Sequence, residues 1–244
     1  MAERHVLPTP EEVAVRAAEY ITTLAEERVQ TRGRFTVALA GGSTPRRLYE
    51  TLASPPYVER LTWERCVFFW GDERCVPPDH CESNYLLVKE ALLDRVPVLE
   101  RNVHRMRGEA PPPGAAEEYQ RVLRQAFGES TPSIDLVLLG LGSDGHTASL
   151  FPGTDALQEK QRLVVANWIP RLEAHRLTFT LPLLNAATEV AFLVTDESKA
   201  EMVQQVLQPA EGASAPPAAL VQPASGKLHW FLSKAAASRL LYQG

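Results

Sequence analysis

Leu139-Gly140-Leu141-Gly142-Ser143-Asp144-Gly145-His146-Thr147-Ala148-Ser149-Leu150-Phe151-Pro152 is the stretch on which the reading of this chain turns. The apolar run from Ile134 to Leu139 empties into three glycines, Gly140, Gly142 and Gly145, with Asp144 and His146 beside them. The pattern predicts a buried strand that ends in a tight polar loop. Glycine lets the backbone turn sharply and lets a ligand come close to it. Imidazole is the side chain that most readily exchanges protons near neutral pH. A carboxylate and an imidazole two residues apart at a strand exit therefore read as the lip of an active site in an α/β enzyme. Asp144 either orients the His146 ring or caps a following helix at Thr147.

The same strand-into-glycine pattern occurs twice upstream. Phe35 to Ala40 runs into Gly41-Gly42, and Arg65 to Trp70 runs into Gly71. Residues 10–31 predict an amphipathic helix with Val13, Ala17 and Leu24 on one face, Thr9 as its cap, Pro10 first, Glu11 and Glu12 in the first turn, and Gly33 at its end. Further helices are expected at Pro45–Leu52, 82–93, about 115–127, 197–207 and, closing the chain, Lys234–Leu241. Further strands are expected near 162–167, 176–180, 189–194 and Leu228–Leu232. Gly108 to Gly114, with three consecutive prolines, reads as a loop. Strands alternating with helices imply an α/β fold, a mostly parallel sheet covered by helices on both faces. Ligands in such sheets bind beyond the carboxyl ends of the strands. The site is therefore expected where the three glycine-ended strands meet. No internal repeat is present and the Pro/Ala/Gly stretch 209–217 is too short for a domain linker, so residues 1–244 read as one domain.

Composition narrows the partners. The chain has 244 residues, 45% of them hydrophobic and 23% charged, with a net charge of −5. That balance argues against nucleic acid or an anionic membrane surface as the main partner, while local basic groups can still bind a phosphorylated ligand. Neither a secretory-type N-terminus nor a run of 18 apolar residues is present, so a cytoplasmic location is expected. Cys66, Cys75 and Cys81 read as free thiols, because no Cys-x-x-Cys pair supports a zinc site even with His80 nearby. His5, His80, His104, His175 and His229 lack the context of His146 and read as structural or exposed. Oligomeric state stays open.

Three more groups carry chemistry. Gly41-Gly42-Ser43-Thr44-Pro45 joins a strand to a helix, where unpaired N–H groups and the helix dipole favour an anion; a plain capped turn is the alternative. It lacks the Gly-Lys-Ser/Thr ending of a P-loop. Asp72, Glu73 and Arg74 follow a strand end; Arg74 can grip a phosphate or carboxylate in bidentate fashion, or join a solvated charge cluster. Asn84, in Glu82-Ser83-Asn84-Tyr85, reads as a loop brace. Arg176 precedes a short strand, and Lys199 sits in the first turn of a helix, where it opposes the dipole and calls for a compensating anion: Glu197, Glu201 or a bound phosphate.

Taken together, Gly41–Pro45, Asp72–Pro77, Ser83–Tyr85, Gly140–Pro152 and Thr180-Leu181-Pro182-Leu183-Leu184-Asn185 resemble the 6-phosphogluconolactonases of the glucosamine-6-phosphate isomerase/6-phosphogluconolactonase family, over nearly the whole chain. The resemblance implies a Rossmann-like fold shared with glucosamine-6-phosphate deaminases, no cofactor, no metal, and hydrolysis of 6-phospho-D-glucono-1,5-lactone in the oxidative pentose phosphate pathway. It implies His146 as general base, Asp144 as its positioner, and Arg74 at either the oxyanion or the phosphate. Gly42, Ser43, Thr44, Asp72, Arg176 and Lys199 are implied in substrate binding. Asp196 departs from the glycine common in the family ahead of this lysine, which puts Lys199 in question. Deaminases of this fold typically carry a glutamate five residues after the histidine and Asp-Glu-Tyr in place of Asp72-Glu73-Arg74; this chain has Phe151 and Arg74 there. The alternatives are such a deaminase, or a non-catalytic sugar-phosphate sensor on the same fold.

Overall fold

The computed structural model describes residues 2–128, 132–224 and 226–241. In chain order its elements are β1 (Glu3–Leu7), α1 (Pro10–Arg32), β2 (Phe35–Leu39), α2 (Ser43–Leu52), α3 (Tyr57–Arg60), β3 (Cys66–Trp70), β4 (Asp72–Arg74), α4 (Asn84–Ala91), α5 (Pro112–Phe127), β5 (Leu136–Leu139), β6 (Val164–Ile169), β7 (Ala174–Phe179), α6 (Leu181–Asn185), β8 (Glu189–Val194), α7 (Ala200–Leu207) and β9 (Lys227–Ser233), with short 3-10 turns between some of them.

Six strands form the main sheet in the order β1-β9-β8-β5-β2-β3. Every pairing in it is parallel. Each residue of β2, β5 and β8 is buried, although successive side chains point to opposite faces. Continuous apolar strands of this kind need cover on both faces. Burying each such Leu or Val contributes about 1.5–3 kcal/mol. Asp135, just ahead of β5, is buried and accepts from the Thr36 amide at 2.9 Å, the Thr36 hydroxyl at 2.7 Å and Arg32 at 2.9 Å. This locks the start of β5 to β2 and fixes where β5 delivers its glycine loop. Thr9 caps α1 as expected, accepting from the Glu12 amide at 3.2 Å.

Four features differ from the sequence expectation. The strands expected near 162–167 and 176–180 leave the main sheet and form a second, antiparallel sheet, β4-β7-β6. Only four residues, 170–173, separate β6 from β7, and a parallel crossover needs a dozen or more. β1 is an additional edge strand, its polar Glu3 and Arg4 having hidden it. Pro112, Pro113 and Gly114, expected in a loop, open α5, where the missing proline N–H costs no helical bond. The closing helix expected over 234–241 is a set of turns: the Ser233 hydroxyl takes the Ala236 amide, and bonds from Ser238 to Ala235 and from Leu240 to Ala237 close three-residue turns in place of a continuous four-residue ladder.

Among the described residues no helix is long and apolar enough to cross a membrane.

Candidate active site

The carboxyl ends of β2, β3, β5 and β8 open onto one cleft of about 240 Å³. Its wall includes Gly41, Gly42, Ser43 and Thr44 after β2, Gly71, Asp72 and Arg74 after β3, Gly140, Leu141 and His146 after β5, and Thr195, Asp196 and Lys199 after β8. Three of these four strand ends are the glycine-ended ones read from the sequence.

The β5 loop holds the imidazole. His146 Nδ1 lies 2.5 Å from Asp144 Oδ1, and the His146 amide donates to the same oxygen at 3.2 Å. No helix follows at Thr147; residues 147–150 form a turn, so Asp144 orients the ring and caps nothing. Gly142 is required by this arrangement: a Cβ there would overlap Nδ1 and Cε1 of His146 and lie 2.6 Å from Asp144 Oδ1. The other carboxylate oxygen of Asp144 pairs with Arg171 at 2.7 Å. Burial works to raise the Asp144 carboxyl, but the bond to His146 and the Arg171 charge outweigh it and hold the group below the usual carboxylate range. Phe151 stacks on the His146 ring at 4.1 Å between centroids, and the Arg171 guanidinium lies 4.8 Å from the Phe151 ring. Carboxylate, guanidinium and phenyl ring thus hold the imidazole from Nδ1 and from one face. No partner to Nε2 occurs among the described residues, and His146 is part of the cleft wall.

The opposite wall is built for an anion. The N-terminus of α2 enters the cleft with Gly42 as its N-cap, no side-chain cap and no acidic residue in the first turn, which leaves the Ser43 and Thr44 N–H groups for a ligand. Thr44 Oγ1 lies 2.8 Å from Thr195 Oγ1 and ties this turn to the end of β8. Lys199 finds no carboxylate ion pair among the described residues; Glu201, one candidate partner, pairs instead with Arg239 at 3.2 Å. Asp196 accepts from the Ser198 amide at 2.8 Å. That bond, ahead of the Lys199 charge, keeps its carboxyl low. The aspartate is therefore engaged as a cap beside the lysine.

The β4 segment braces the third wall. Buried Glu73 accepts from the amides of Arg74, Asn84 and Tyr85 at 2.7–2.8 Å and from Ser83 Oγ at 3.2 Å, which pins the start of α4. Asn84 is both brace and wall: its side chain donates to the Asp72 carbonyl at 3.0 Å and lines the cleft. Asp72 accepts from Ser149 Oγ at 2.7 Å, joining this wall to the histidine loop. Arg74 donates to the Glu82 carbonyl at 2.5 Å and reaches the cleft. Arg176 stands opposite Arg74 in the β4–β7 register but is not part of the wall. Burial and then the neighbouring Arg74 charge pull its guanidinium below its ordinary value.

The structure thus brings Gly42, Ser43, Thr44, Asp72, Arg74, His146 and Lys199 around one cleft, with Asp144 directly behind His146 and Arg176 one strand away. Arg171 and Ser149 were missed. Arg171 lies in the β6–β7 hairpin and meets Asp144 only once that hairpin is recognised as antiparallel.

Residues 8–230 match the family model described as glucosamine-6-phosphate isomerases/6-phosphogluconolactonase. A 6-phosphogluconolactonase of Rattus norvegicus is 42% identical, covering 97% of this chain and 92% of the rat protein. One from Nostoc sp. is 40% identical, covering 96% and 97%. The solved 6-phosphogluconolactonase of Trypanosoma brucei superposes with a TM-score of 0.86 at 30% identity, covering 99% of both chains. With its glycine turn, histidine loop and parallel sheet all accounted for, this chain belongs to the glucosamine-6-phosphate isomerase/6-phosphogluconolactonase family.

Proposed function

We propose that this chain, read as one domain over residues 1–244, hydrolyses 6-phospho-D-glucono-1,5-lactone to 6-phospho-D-gluconate in the cytoplasm, in the oxidative pentose phosphate pathway. The observation that carries the reading is one cleft with an Asp144-held imidazole on one wall and, on the other, a helix N-terminus without a side-chain cap beside a lysine that has no ion pair among the described residues. Asp144 keeps the proton on Nδ1, which leaves the Nε2 lone pair to act as base. His146 takes a proton from water as the water oxygen bonds to C1 of the lactone. The tetrahedral intermediate collapses, the bond from C1 to the ring oxygen breaks, and the imidazolium returns its proton to that oxygen. General base catalysis of this kind typically supplies roughly 10²–10⁴-fold.

In this reading the phosphate binds the Gly42–Thr44 turn and Lys199, with Arg176 reinforcing the positive charge behind Arg74. Arg74 and Asp72 meet the lactone end, Arg74 countering the developing oxyanion. The position five residues after His146 favours hydrolysis over deamination: Phe151 packs a neutral ring on the imidazole where a deaminase of this fold typically uses a carboxylate. The test is proton release from freshly generated lactone, measured above the spontaneous rate for wild type and His146→Ala. Acceleration that disappears in the variant is expected. Acceleration that persists removes His146 as base, and none in wild type, with ammonia released from glucosamine 6-phosphate, overturns the lactonase assignment.

A further inference from the structure

A second constellation lies at the edge of the main sheet. β1 and β9 run parallel with Glu3 opposite His229. Glu3 and His5, two residues apart on one strand, share a face. Their donor groups converge: His5 Nε2 to His229 Nδ1 is 3.5 Å, and the Glu3 carboxylate spans the two rings, with Oε1 3.4 Å from His5 Nε2 and Oε2 3.4 Å from His229 Nδ1; one ligand atom from each residue lies within 4.8 Å of the other two. These separations are long for direct hydrogen bonds, which cluster near 2.7–3.2 Å. The nitrogen–nitrogen separation and the separation from either ring to its nearer carboxylate oxygen are close to the edge of a tetrahedron with bonds of about 2.0–2.1 Å, roughly 3.3–3.4 Å, and a spread within 4.8 Å lets one ion reach all three side chains.

The surrounding groups set the tautomer such a site needs. The Tyr20 hydroxyl donates to Glu189, leaving its oxygen to accept from His229 Nε2 at 2.8 Å. Glu189 Oε2 is itself 3.5 Å from Nε2, and its other oxygen accepts from Arg28 at 3.2 Å. With the proton held on Nε2, the Nδ1 lone pair of His229 faces His5 and Glu3. A histidine ligand whose second nitrogen is held by a carboxylate network is the usual arrangement at a metal. His5 is fixed by stacking on Phe231 at 4.5 Å. His229 is buried while the Glu3 side chain is 60% exposed, so one side admits an ion and a water. None of these residues belongs to the cleft wall.

We propose that Glu3, His5 and His229 bind a divalent transition metal, zinc by its donor set, with water as the fourth ligand, and that the ion pins β1 to β9. The resemblance implied no metal for the reaction; this site is structural and separate from the chemistry. In the test, protein freed of metal by chelation is titrated calorimetrically with Zn²⁺ and spectroscopically with Co²⁺. One Zn²⁺ per chain, a raised Tm and tetrahedral Co²⁺ bands without a thiolate charge-transfer band are expected. His5→Ala and the exposed change Glu3→Gln should each weaken binding more than about 10-fold, and Tyr20→Phe by roughly 10-fold through loss of the outer support. Lactone hydrolysis should be unchanged in Glu3→Gln. Absence of stoichiometric binding, a thiolate band marking cysteine ligands, or affinity unaltered in both His5→Ala and Glu3→Gln would overturn the proposal.

Discussion

Gly142→Ala tests the geometry of the histidine loop with one methyl group. A Cβ at this position would overlap the Nδ1 and Cε1 atoms of His146 and stand 2.6 Å from Asp144 Oδ1. Ordinary non-bonded contact needs about 3.4–4 Å, so the imidazole must retreat by more than roughly 1 Å or the Asp144–His146 bond must break. Gly142 does not have a positive φ, so alanine costs no backbone strain and the sheet beneath should fold normally. Misplacing a catalytic group by about 1 Å can cost on the order of 10²-fold in rate. Lactone turnover followed by proton release should therefore show kcat down about 100-fold. Calorimetric binding of the product, whose phosphate we propose to sit on the opposite wall, should weaken less than about threefold. Because the methyl acts through the pair, Gly142→Ala combined with Asp144→Ala should be scarcely slower than either alone. Wild-type kcat in Gly142→Ala would refute the argument, and so would a loss confined to binding.

Other expectations follow from the same contacts. Asp144→Asn frees Nδ1 from its carboxylate and should lower kcat by about 100-fold or more with KM little changed; a loss below threefold would mean that Phe151 alone orients the ring. The folded Asp144 carboxyl is held below its unfolded value, so its stabilisation is present above the ordinary carboxylate pKa near ~3.9 and is lost as pH falls through the depressed one. The Tm gap between wild type and Asp144→Asn should thus be steady near neutrality and close only in strong acid; a gap that closes between pH 6 and pH 8, values roughly those where an imidazole titrates, would place the linkage on another group. Lys199→Ala should raise KM roughly 10–100-fold, as expected for losing a charge-assisted bond of about 1.5–3 kcal/mol, with kcat nearly kept; a KM within twofold of wild type would assign the phosphate elsewhere. Glu73→Gln turns an amide N–H toward N–H donors in a buried site and should cost about 1–3 kcal/mol, read as a Tm fall of about 2–4 °C per kcal/mol; an unchanged Tm would show that the cap is dispensable.

The main sheet was legible because its signals are local. Runs such as Phe35–Leu39, apolar but for Thr36, and Leu136–Leu139, apolar throughout, each lead into glycine, which marks both a buried strand and the loop that meets a ligand. The histidine loop was legible for the same reason, since Asp144 and His146 are two residues apart. What escaped depends on pairing across long separations. The small sheet was hidden because β6 and β7 carry ordinary strand patterns that do not announce direction; the four-residue connection was the available signal. With it went Arg171, which reaches Asp144 from 27 residues away in sequence yet lies 2.7 Å from it in space. His5 and His229 seemed unremarkable singly, and only the parallel register of β1 on β9, 224 residues apart, puts them together.

Charge completes the functional argument. The chain carries a net charge of −5, yet the cleft and its rear wall collect Lys199, Arg74 and Arg176, none with a carboxylate ion pair among the described residues. Arg74 and Arg176 face each other across a strand pair, and after burial the Arg74 charge adds to the lowering of the Arg176 guanidinium. Asp72 and Asp196 in the same cleft offset part of this charge without forming ion pairs to it among the described residues, and such a cluster favours an anion from outside. Meanwhile the carboxylate directly behind His146, Asp144, is engaged by His146 and Arg171, so its charge is partly met within the protein. Many other acidic residues are paired elsewhere on the surface, as in Glu19–Arg60 and Asp94–Lys89. The chain's overall negative charge disfavours extended polyanions, while a small anion that enters within about a Debye length of the three cations experiences the local field instead.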